Sequence, residues 1–267
     1  MAIFYFYGKK TNMTPYQLSK SESRYLQEIN ELYYMIPALQ EIERRLASAD
    51  NCSERLLMIW DELYEIMVQC KPQVDLLLEE RKAKGNIKDV NQARKSVAGN
   101  LFSNLIIYLF IQSKILGHIK PDIFITSKLG EVPQLKDLTT IHVDTETQKP
   151  DMDLAVYAFD EQESLRNCLI LSLKTSLRER AGQTYKWKLL LEIANTENAI
   201  KQKYGIRYEA PFIPKIGFVT VNFYNEINNP QHRGMFKFFD ASFIGKNITS
   251  DFIAKLSELP AYVNREI

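Results

Sequence analysis

Three groups of reactive residues lie close together in the second half of the chain. Asp151 follows Pro150, Lys174 ends the apolar run 168–173, and Arg178-Glu179-Arg180 begins four residues after the lysine. A carboxylate can bind Mg²⁺, which takes one or two protein carboxylates and keeps its remaining waters. A lysine beside it can orient an activated water and stabilise negative charge on a phosphate. The residue types therefore predict metal-assisted hydrolysis of a phosphodiester.

Two short segments must position Asp151 and Lys174. Residues 153–159 and 168–173 are apolar and bounded by polar loops, which predicts two strands. If these strands pair as a hairpin or as neighbours in a sheet, the two side chains meet at one edge. Asp153 alternates with Asp151 along its strand, so we expect it to point to the opposite face and to be the weaker candidate for a metal ligand.

The order of the three groups resembles the active-site strand and recognition element of type II restriction endonucleases of the PD-(D/E)xK superfamily. The similarity is to the group that reads CCGG or gapped CC…GG targets. Pro150-Asp151, Ser172-Leu173-Lys174 and Arg178-Glu179-Arg180 match that group's Pro-Asp, Ser-x-Lys and Arg-(Asp/Glu)-Arg in order. The resemblance implies a magnesium-dependent enzyme that cuts double-stranded DNA at a palindromic site. It makes Asp151 a metal ligand and Lys174 the catalytic lysine.

Ser172 stands where the (D/E)xK motif usually has an acid. Relatives with serine there supply the carboxylate from the next helix, at positions that correspond to Trp187 and Lys188 in this chain. Neither residue is an acid, so the sequence departs from the pattern. Glu192 lies four residues beyond Lys188, on the same helix face one turn later. Glu192 is therefore the first candidate for the relocated acid and second metal ligand, and the alternative is an ordinary surface residue.

Arg178-Glu179-Arg180 has the chemistry to read C:G pairs. An arginine fork matches guanine O6 and N7, a glutamate accepts from cytosine N4, and each good contact discriminates by about 1–3 kcal/mol. The resemblance assigns these three residues to the inner base pairs, whereas the alternative is a salt-bridged helix start. Gln183 and Lys186 follow at the entry of the next predicted helix, where we expect them to contact bases or phosphates.

The charge distribution fits a local DNA-binding surface better than a protein that coats nucleic acid. The whole chain has a formal net charge of +1, which argues against non-specific coating. Residues 174–207 alone carry eight basic and three acidic residues. This segment would form a basic cleft, or else a solvated helix face.

Cysteine spacing and hydropathy indicate a cytoplasmic protein without a membrane span. Cys52, Cys70 and Cys168 are widely spaced and suit neither a disulfide framework nor a zinc site. The longest apolar stretch, residues 101–116, is interrupted by polar residues and falls short of the roughly 18 apolar residues of a membrane helix. We therefore expect no membrane partner.

The first third of the chain has helical periodicity. Residues 21–48 predict one long amphipathic helix bent at Pro37, and a second helix is expected from an N-cap at Ser53 to a kink or end at Pro72, with a continuation over 74–84. Residues 1–7 suggest a short strand and 11–15 a loop. This pattern predicts a helical N-terminal domain over residues 1–88, available for dimerisation or DNA contacts.

Residues 89–267 predict an α/β domain with a central mixed β-sheet flanked by helices, the fold that the resemblance also implies. A long helix is expected from Asp89 to a C-cap at Gly117. The other expected elements are strands over 122–126, 139–143, 153–159, 168–173, 215–223 and 235–239, and helices over 183–204 and 250–259, the last stopped by Pro260.

The leading interpretation is a homodimeric, or higher oligomeric, endonuclease whose two-fold symmetry matches a palindromic target. A second interpretation keeps the nuclease fold but gives it a structure-specific or repair role, for which the Arg-Glu-Arg group would not be required. A third is a non-enzymatic helical DNA-binding or interaction protein in which Asp151 and Lys174 form a structural ion pair.

Replacement of Arg178 tests the recognition assignment. Arg178→Ala removes a fork that pairs with guanine, so we expect specific binding to weaken by about 1–3 kcal/mol while non-specific binding changes little. Titration of the protein against duplexes with and without its target measures both. Unchanged specific binding would assign Arg178 to a structural salt bridge instead.

Overall fold

The computed structural model describes residues 16–150, 152–177 and 181–267, and of residues 181–183 it describes the backbone alone. The strand expected at 1–7 and the loop expected at 11–15 lie outside this description. So do Asp151 and Arg178-Glu179-Arg180.

Five helices form the first part of the described chain: α1 Lys20–Glu31, α2 Ile36–Ala47, α3 Cys52–Asp61, α4 Leu63–Ala83 and α5 Val90–Ile115. A capping box between Ser19 and Glu22 starts α1. Asp89 caps α5 through the Asn91 and Gln92 amides. Gly117 follows the end of α5 with a φ of 79°, a left-handed conformation that suits glycine. The predicted helix from Asp89 to Gly117 is confirmed.

The helical predictions before residue 88 are right in type but wrong in their boundaries. The single helix expected over 21–48 is two helices, and Pro37 lies in the first turn of α2, where its missing N–H leaves no intrahelical bond unmade. Asn51, not Ser53, caps α3 by accepting from the Ser53 and Glu54 amides. The chain breaks again at Glu62, and Pro72 lies inside α4.

The rest of the chain alternates strands and short helices. In chain order these elements are β1 Ile123–Thr126, α6 Pro133–Leu138, β2 Ile141–Val143, β3 Glu146–Gln148, β4 Leu154–Phe159, β5 Leu165–Lys174, α7 Ala181–Ala194, α8 Ala199–Lys203, β6 Ile206–Arg207, β7 Lys215–Thr220, α9 Pro230–Phe236, β8 Ala241–Ile244, β9 Ala254–Lys255 and α10 Leu259–Glu266. Single 3₁₀ turns lie at Leu129–Glu131, Glu226–Asn228 and Leu256–Glu258.

Within the described ranges the strands form one six-stranded sheet and one three-stranded sheet. The larger sheet has the order β1-β4-β5-β7-β8-β9. Strands β1, β4 and β5 pair with one another in antiparallel fashion, and β5 also begins the parallel set β5, β7, β8 and β9. The smaller sheet, β3-β2-β6, is antiparallel. The expected central mixed sheet flanked by helices is confirmed.

Three predictions in the second half of the chain are wrong. The apolar run 235–239 is not a strand, because Asn229 caps α9 and Pro230 occupies its first turn, and the strand follows at Ala241–Ile244. The helix expected over 250–259 is β9 and a 3₁₀ turn, and Pro260 lies in the first turn of α10 instead of stopping a helix. The helix expected over 183–204 is two helices, with Asn198 capping α8.

The core formed by the described residues has two parts, one on each face of the larger sheet. Leu154 and Leu171 point into the cluster that includes α1–α5. Ala155 and Ile170 point into the cluster beneath α7 and α9, as the alternation of side chains along a strand requires. Helices on both sides of residue 88 share the first cluster. The division into domains 1–88 and 89–267 stays a prediction.

Helix α5 is long and apolar enough to cross a membrane by length and composition alone. Of its most apolar window, 61% is buried inside the protein, as is usual for the central helix of a folded core. Its buried side chains cover one face of the sheet, so its apolar character is explained by packing.

A buried ion pair joins α1 to α5. Lys114 Nζ lies 2.6 Å from Glu22 Oε1, and the two side chains are 0% and 3% exposed. The Tyr16 hydroxyl and the Ser19 amide each donate to Glu22 Oε2 at 2.8 Å. Burial alone would raise the pKa of the Glu22 carboxyl, but the hydrogen bonds from Lys114 and Ser19 outweigh it and hold that pKa below its usual value. Glu22 is therefore a charged residue inside the core.

Removal of Lys114 should destabilise the whole fold. Lys114→Met leaves the Glu22 carboxylate buried without its cation, so the free energy of unfolding should fall by about 3–5 kcal/mol. Lys128→Met is the matched control, because the Lys128–Glu28 pair is nearly half exposed on both sides and is worth at most about 1 kcal/mol. Denaturant titrations followed by circular dichroism measure both losses. Equal losses would show that the buried Lys114–Glu22 pair stabilises the protein no more than the exposed Lys128–Glu28 pair does.

Candidate active site

The antiparallel pairing of β4 with β5 brings an acid and a lysine together. Leu154 pairs with Leu171, and the Asp153 amide donates to the Leu171 carbonyl at 3.2 Å. Asp153 Oδ2 accepts from Lys174 Nζ at 2.8 Å and from the Leu173 amide at 2.7 Å. The Lys174 side chain is 6% exposed and that of Asp153 is 27% exposed. The lysine is therefore held inside the protein, while the carboxylate beside it is partly exposed to solvent.

The expectation that Asp153 points away from this site is wrong. Side chains alternate with a period of two along a strand, so residues two apart share a face. Extending the register by one pair puts Asp153 opposite Ser172, on the face that also carries Lys174. Asp151 and Asp153 are two positions apart, so strand alternation predicts one shared face for them and not opposite faces. Asp151 itself lies outside the described residues, and its role stays a prediction.

Ser172 anchors the next helix instead of contributing a charge. Its side chain is buried, and its Oγ accepts from Thr184 Oγ1 at 2.9 Å. This bond ties the first turns of α7 to the strand that ends in Lys174. Gln183 and Lys186 flank Thr184 in sequence, so α7 is fixed to the lysine strand at the point where we predicted DNA contacts. Lys186 is exposed and makes no salt bridge to another residue in the described ranges.

Glu192 does not reach Lys174. Its carboxylate is half exposed and lies 3.5 Å from Lys188 Nζ, and Lys188 binds both oxygens of Asp240. Asp240 in turn accepts from the Ile216 amide. Ile216 lies four residues before Thr220, the partner of Lys174 in the sheet. Four residues of strand span about 13 Å, so Glu192 sits toward the opposite end of these strands.

The parallel pairing of β5 with β7 brings a second acid to the lysine end of the sheet. The Phe223 amide donates to the Thr175 carbonyl at 3.0 Å. Glu226 Oε2 accepts from the Leu177 amide at 2.8 Å. Sequence reasoning missed Glu226 because 49 positions separate it from Leu177. Only the pairing of β5 with β7, a long-range feature of the fold, identifies it.

The chemistry of these residues fits Mg²⁺, the ion that the resemblance implies. Mg²⁺ prefers oxygen ligands and needs only one or two protein carboxylates. Asp153 supplies one partly exposed carboxylate, and Asp151 stands two residues before it in the sequence. Among the described residues no group of three or more His, Cys, Asp or Glu side chains forms a metal cage.

The fold and this site define a class of protein. A mixed sheet flanked by helices, with an acid and a buried lysine at the adjoining ends of two antiparallel strands, suits a phosphodiester hydrolase. The family model of the BsaWI restriction endonuclease type 2 matches residues 131–262, just under half of the chain and the part that holds β4, β5 and α7. No curated protein matches the chain in sequence. The family match identifies the protein as a site-specific deoxyribonuclease, similar over this segment to type II restriction endonucleases.

Paired substitutions test which acid serves the site. Asp153→Asn removes the carboxylate that holds Lys174, so we expect the cleavage rate on plasmid DNA to fall by about 10- to 100-fold, as for other residues that support a catalytic group. Glu192→Gln changes a half-exposed surface pair, so its rate should stay within about threefold of the parent. The reverse ranking would restore Glu192 as the relocated acid.

Proposed function

We propose that the protein is a Mg²⁺-dependent type II restriction endonuclease that cuts both strands of DNA at a palindromic site containing CCGG or CC…GG. The observation that carries the proposal is the contact between Asp153 and Lys174 at the adjoining ends of β4 and β5. It lies within the segment that matches the restriction-endonuclease family. The likeness of Arg178-Glu179-Arg180 to the group's recognition residues supports the proposed target.

Lys174 is the catalytic lysine of this proposal. Its ammonium group is buried, so an ion pair there is stronger than in water. Asp153 fixes the ammonium position, and the Leu173 amide fixes Asp153 in turn. A lysine held in this way donates to a phosphate oxygen and stabilises the charge that develops as the phosphodiester is attacked.

Asp151 and Asp153 are the proposed ligands of Mg²⁺. When bound, the ion supplies Lewis-acid stabilisation of the phosphate charge. Asp153 takes the place of the acid that the motif lacks, because the register sets it opposite Ser172 on the face of Lys174. Glu192, the candidate from sequence, is left with the surface pair to Lys188.

Specificity is proposed to come from residues attached directly to the catalytic strand. Arg178-Glu179-Arg180 follows Leu177, three residues after Lys174, and would read the inner C:G pairs through guanine and cytosine edges in the major groove. Gln183 and Lys186 lie in the first turns of α7, which Ser172 and Thr184 dock onto β5. Base reading and chemistry would therefore share one rigid support.

The proposed assembly is a homodimer, or a higher oligomer built from it, that acts in the cytoplasm. A palindromic target presents two identical half-sites, and a two-fold dimer offers one active site to each strand. The helices before residue 88 are the proposed surface for dimerisation or for further DNA contacts. This part of the proposal rests on the symmetry of the target.

Replacement of Lys174 separates cutting from binding. Plasmid DNA incubated with the parent protein and Mg²⁺ should give discrete fragments with a common end sequence. Lys174→Ala should lower the cleavage rate by about 100- to 1,000-fold, the usual cost of removing a group that stabilises transition-state charge. Its binding to a duplex that carries the mapped site, measured by fluorescence anisotropy without added metal, should remain.

Lys215→Ala is the matched control, because Lys215 lies at the opposite end of the adjoining strand β7 and pairs with Glu266. It should cut like the parent protein. Normal cutting by Lys174→Ala would refute the active-site assignment. Smears, or cleavage confined to DNA junctions, would favour a structure-specific nuclease over a restriction enzyme.

A further inference from the structure

Specific cutting requires that Arg178-Glu179-Arg180, the proposed DNA-reading group, stand at a defined position relative to Lys174. Thr175, Ser176 and Leu177 are the three residues between the end of β5 and Arg178. We infer that Glu226 is a positioning residue that fixes this connection and so sets Arg178-Glu179-Arg180 relative to Lys174. The inference rests on the proposed function, because it concerns how that function reaches its specificity.

The segment after β7 holds the connection at two points. The Phe223 amide donates to the Thr175 carbonyl at 3.0 Å, which extends the pairing of β5 with β7 beyond Lys174. The Glu226 carboxylate accepts from the Leu177 amide at 2.8 Å. The Leu177 side chain is fully buried in the core beneath α7. The last residue before Arg178 is therefore fixed through both its backbone and its side chain.

Glu226 is itself held in place. Its amide donates to Asn222 Oδ1 at 2.8 Å, and its carbonyl accepts from His232 Nδ1 at 3.0 Å. Asn222 is completely buried, and its own amide donates to Thr220 Oγ1 at 2.9 Å. Thr220 is the sheet partner of Lys174. A continuous chain of contacts therefore links Lys174 to β7, β7 to Glu226, and Glu226 to Leu177.

The turn that carries Glu226 back over the end of β5 has an unusual backbone. Asn222 and Asn225 have φ values of 50° and 54°, in the left-handed region that asparagine tolerates better than most residues. The Asn222 side-chain amide nitrogen is buried and has no hydrogen-bond partner within the described ranges. Such features cost stability and persist where the surrounding structure over-determines them. Here they place the Glu226 carboxylate within hydrogen-bond distance of the Leu177 amide.

Recognition of a base pair is sensitive to the position of Leu177. An arginine fork on guanine needs two hydrogen bonds in fixed geometry, and misplacement by about 1 Å costs about 100-fold in an oriented reaction. Loss of the Glu226 contact should therefore lower discrimination between the target and altered sites. A general loss of folded protein would lower activity on all sites equally and leave their ratio unchanged.

Three substitutions of Glu226 separate the effect of side-chain length from the effect of charge. Glu226→Gln keeps an oxygen acceptor at the same distance without the charge. Glu226→Asp keeps the charge but is one methylene too short for the Leu177 amide. Glu226→Ala loses both. Glu197→Ala is the control, because Glu197 is an 80% exposed acid that pairs with the nearby Lys201.

The measurement is kcat/KM on oligonucleotide duplexes that carry the mapped site, compared with duplexes in which one inner C:G pair is changed. For Glu226→Asp and Glu226→Ala we expect the ratio of the two values to fall by about 10- to 100-fold. Glu226→Gln and Glu197→Ala should keep the ratio within about threefold of the parent. If Glu226→Ala does not fold, Glu226→Asp and Glu226→Gln together still decide the question.

Two results would overturn the inference while leaving the proposed function intact. In the first, the parent cuts at a defined site and Glu226→Asp keeps its full discrimination. In the second, Glu226→Gln loses cleavage as completely as Glu226→Ala while both bind the site, which would make the charge of Glu226 part of the chemistry. A parent protein that cuts no DNA at a defined sequence would refute the proposed function and the inference together.

Discussion

The pairing register of β4 with β5 is the constraint on which the rest of the site depends. With Leu154 opposite Leu171, the start of one strand meets the end of the other, and Asp153 bonds to both Lys174 and the Leu173 amide. A slip of one residue would turn every side chain to the other face. The two cores on either side of the sheet prevent such a slip, because each face of these strands is buried in its own cluster.

The parallel half of the sheet brings a second chain segment, the one that follows β7, to the end of β5 that holds Lys174. Strand β7 runs beside β5 in the same direction, so the segments that leave both strands emerge at one edge. Ligands commonly bind at this edge in α/β folds, because the connecting segments there are free to vary. Here the segment after β7 folds back and bonds to Thr175 and Leu177. The edge therefore combines the buried Lys174, the partly exposed Asp153 carboxylate and the end of the segment that leads to Arg178.

Sequence patterns predicted the parts of the fold that depend on local signals. The long helix capped by Asp89, the mixed sheet and the strand that ends in Lys174 all follow from periodicity and capping residues. The apolar run at 235–239 was predicted as a strand because five residues are too few to distinguish a strand from a helix by period. Glu192 is predicted from its position on a helix face. The direction in which that helix runs along the sheet takes Glu192 away from Lys174, and a single sequence contains no signal for this direction.

Ser172 links the strand that ends in Lys174 to helix α7. The Ser172 hydroxyl is buried and accepts a bond from the buried Thr184 hydroxyl, which joins the strand to the helix. The serine therefore provides an anchor for the helix that bears Gln183 and Lys186. The helix then runs away from Lys174, and its later acid Glu192 pairs with Lys188 at the far end of the strands. The residue opposite Ser172 across the strand pair is Asp153. A carboxylate therefore contacts Lys174 although the motif has serine in place of its usual acid.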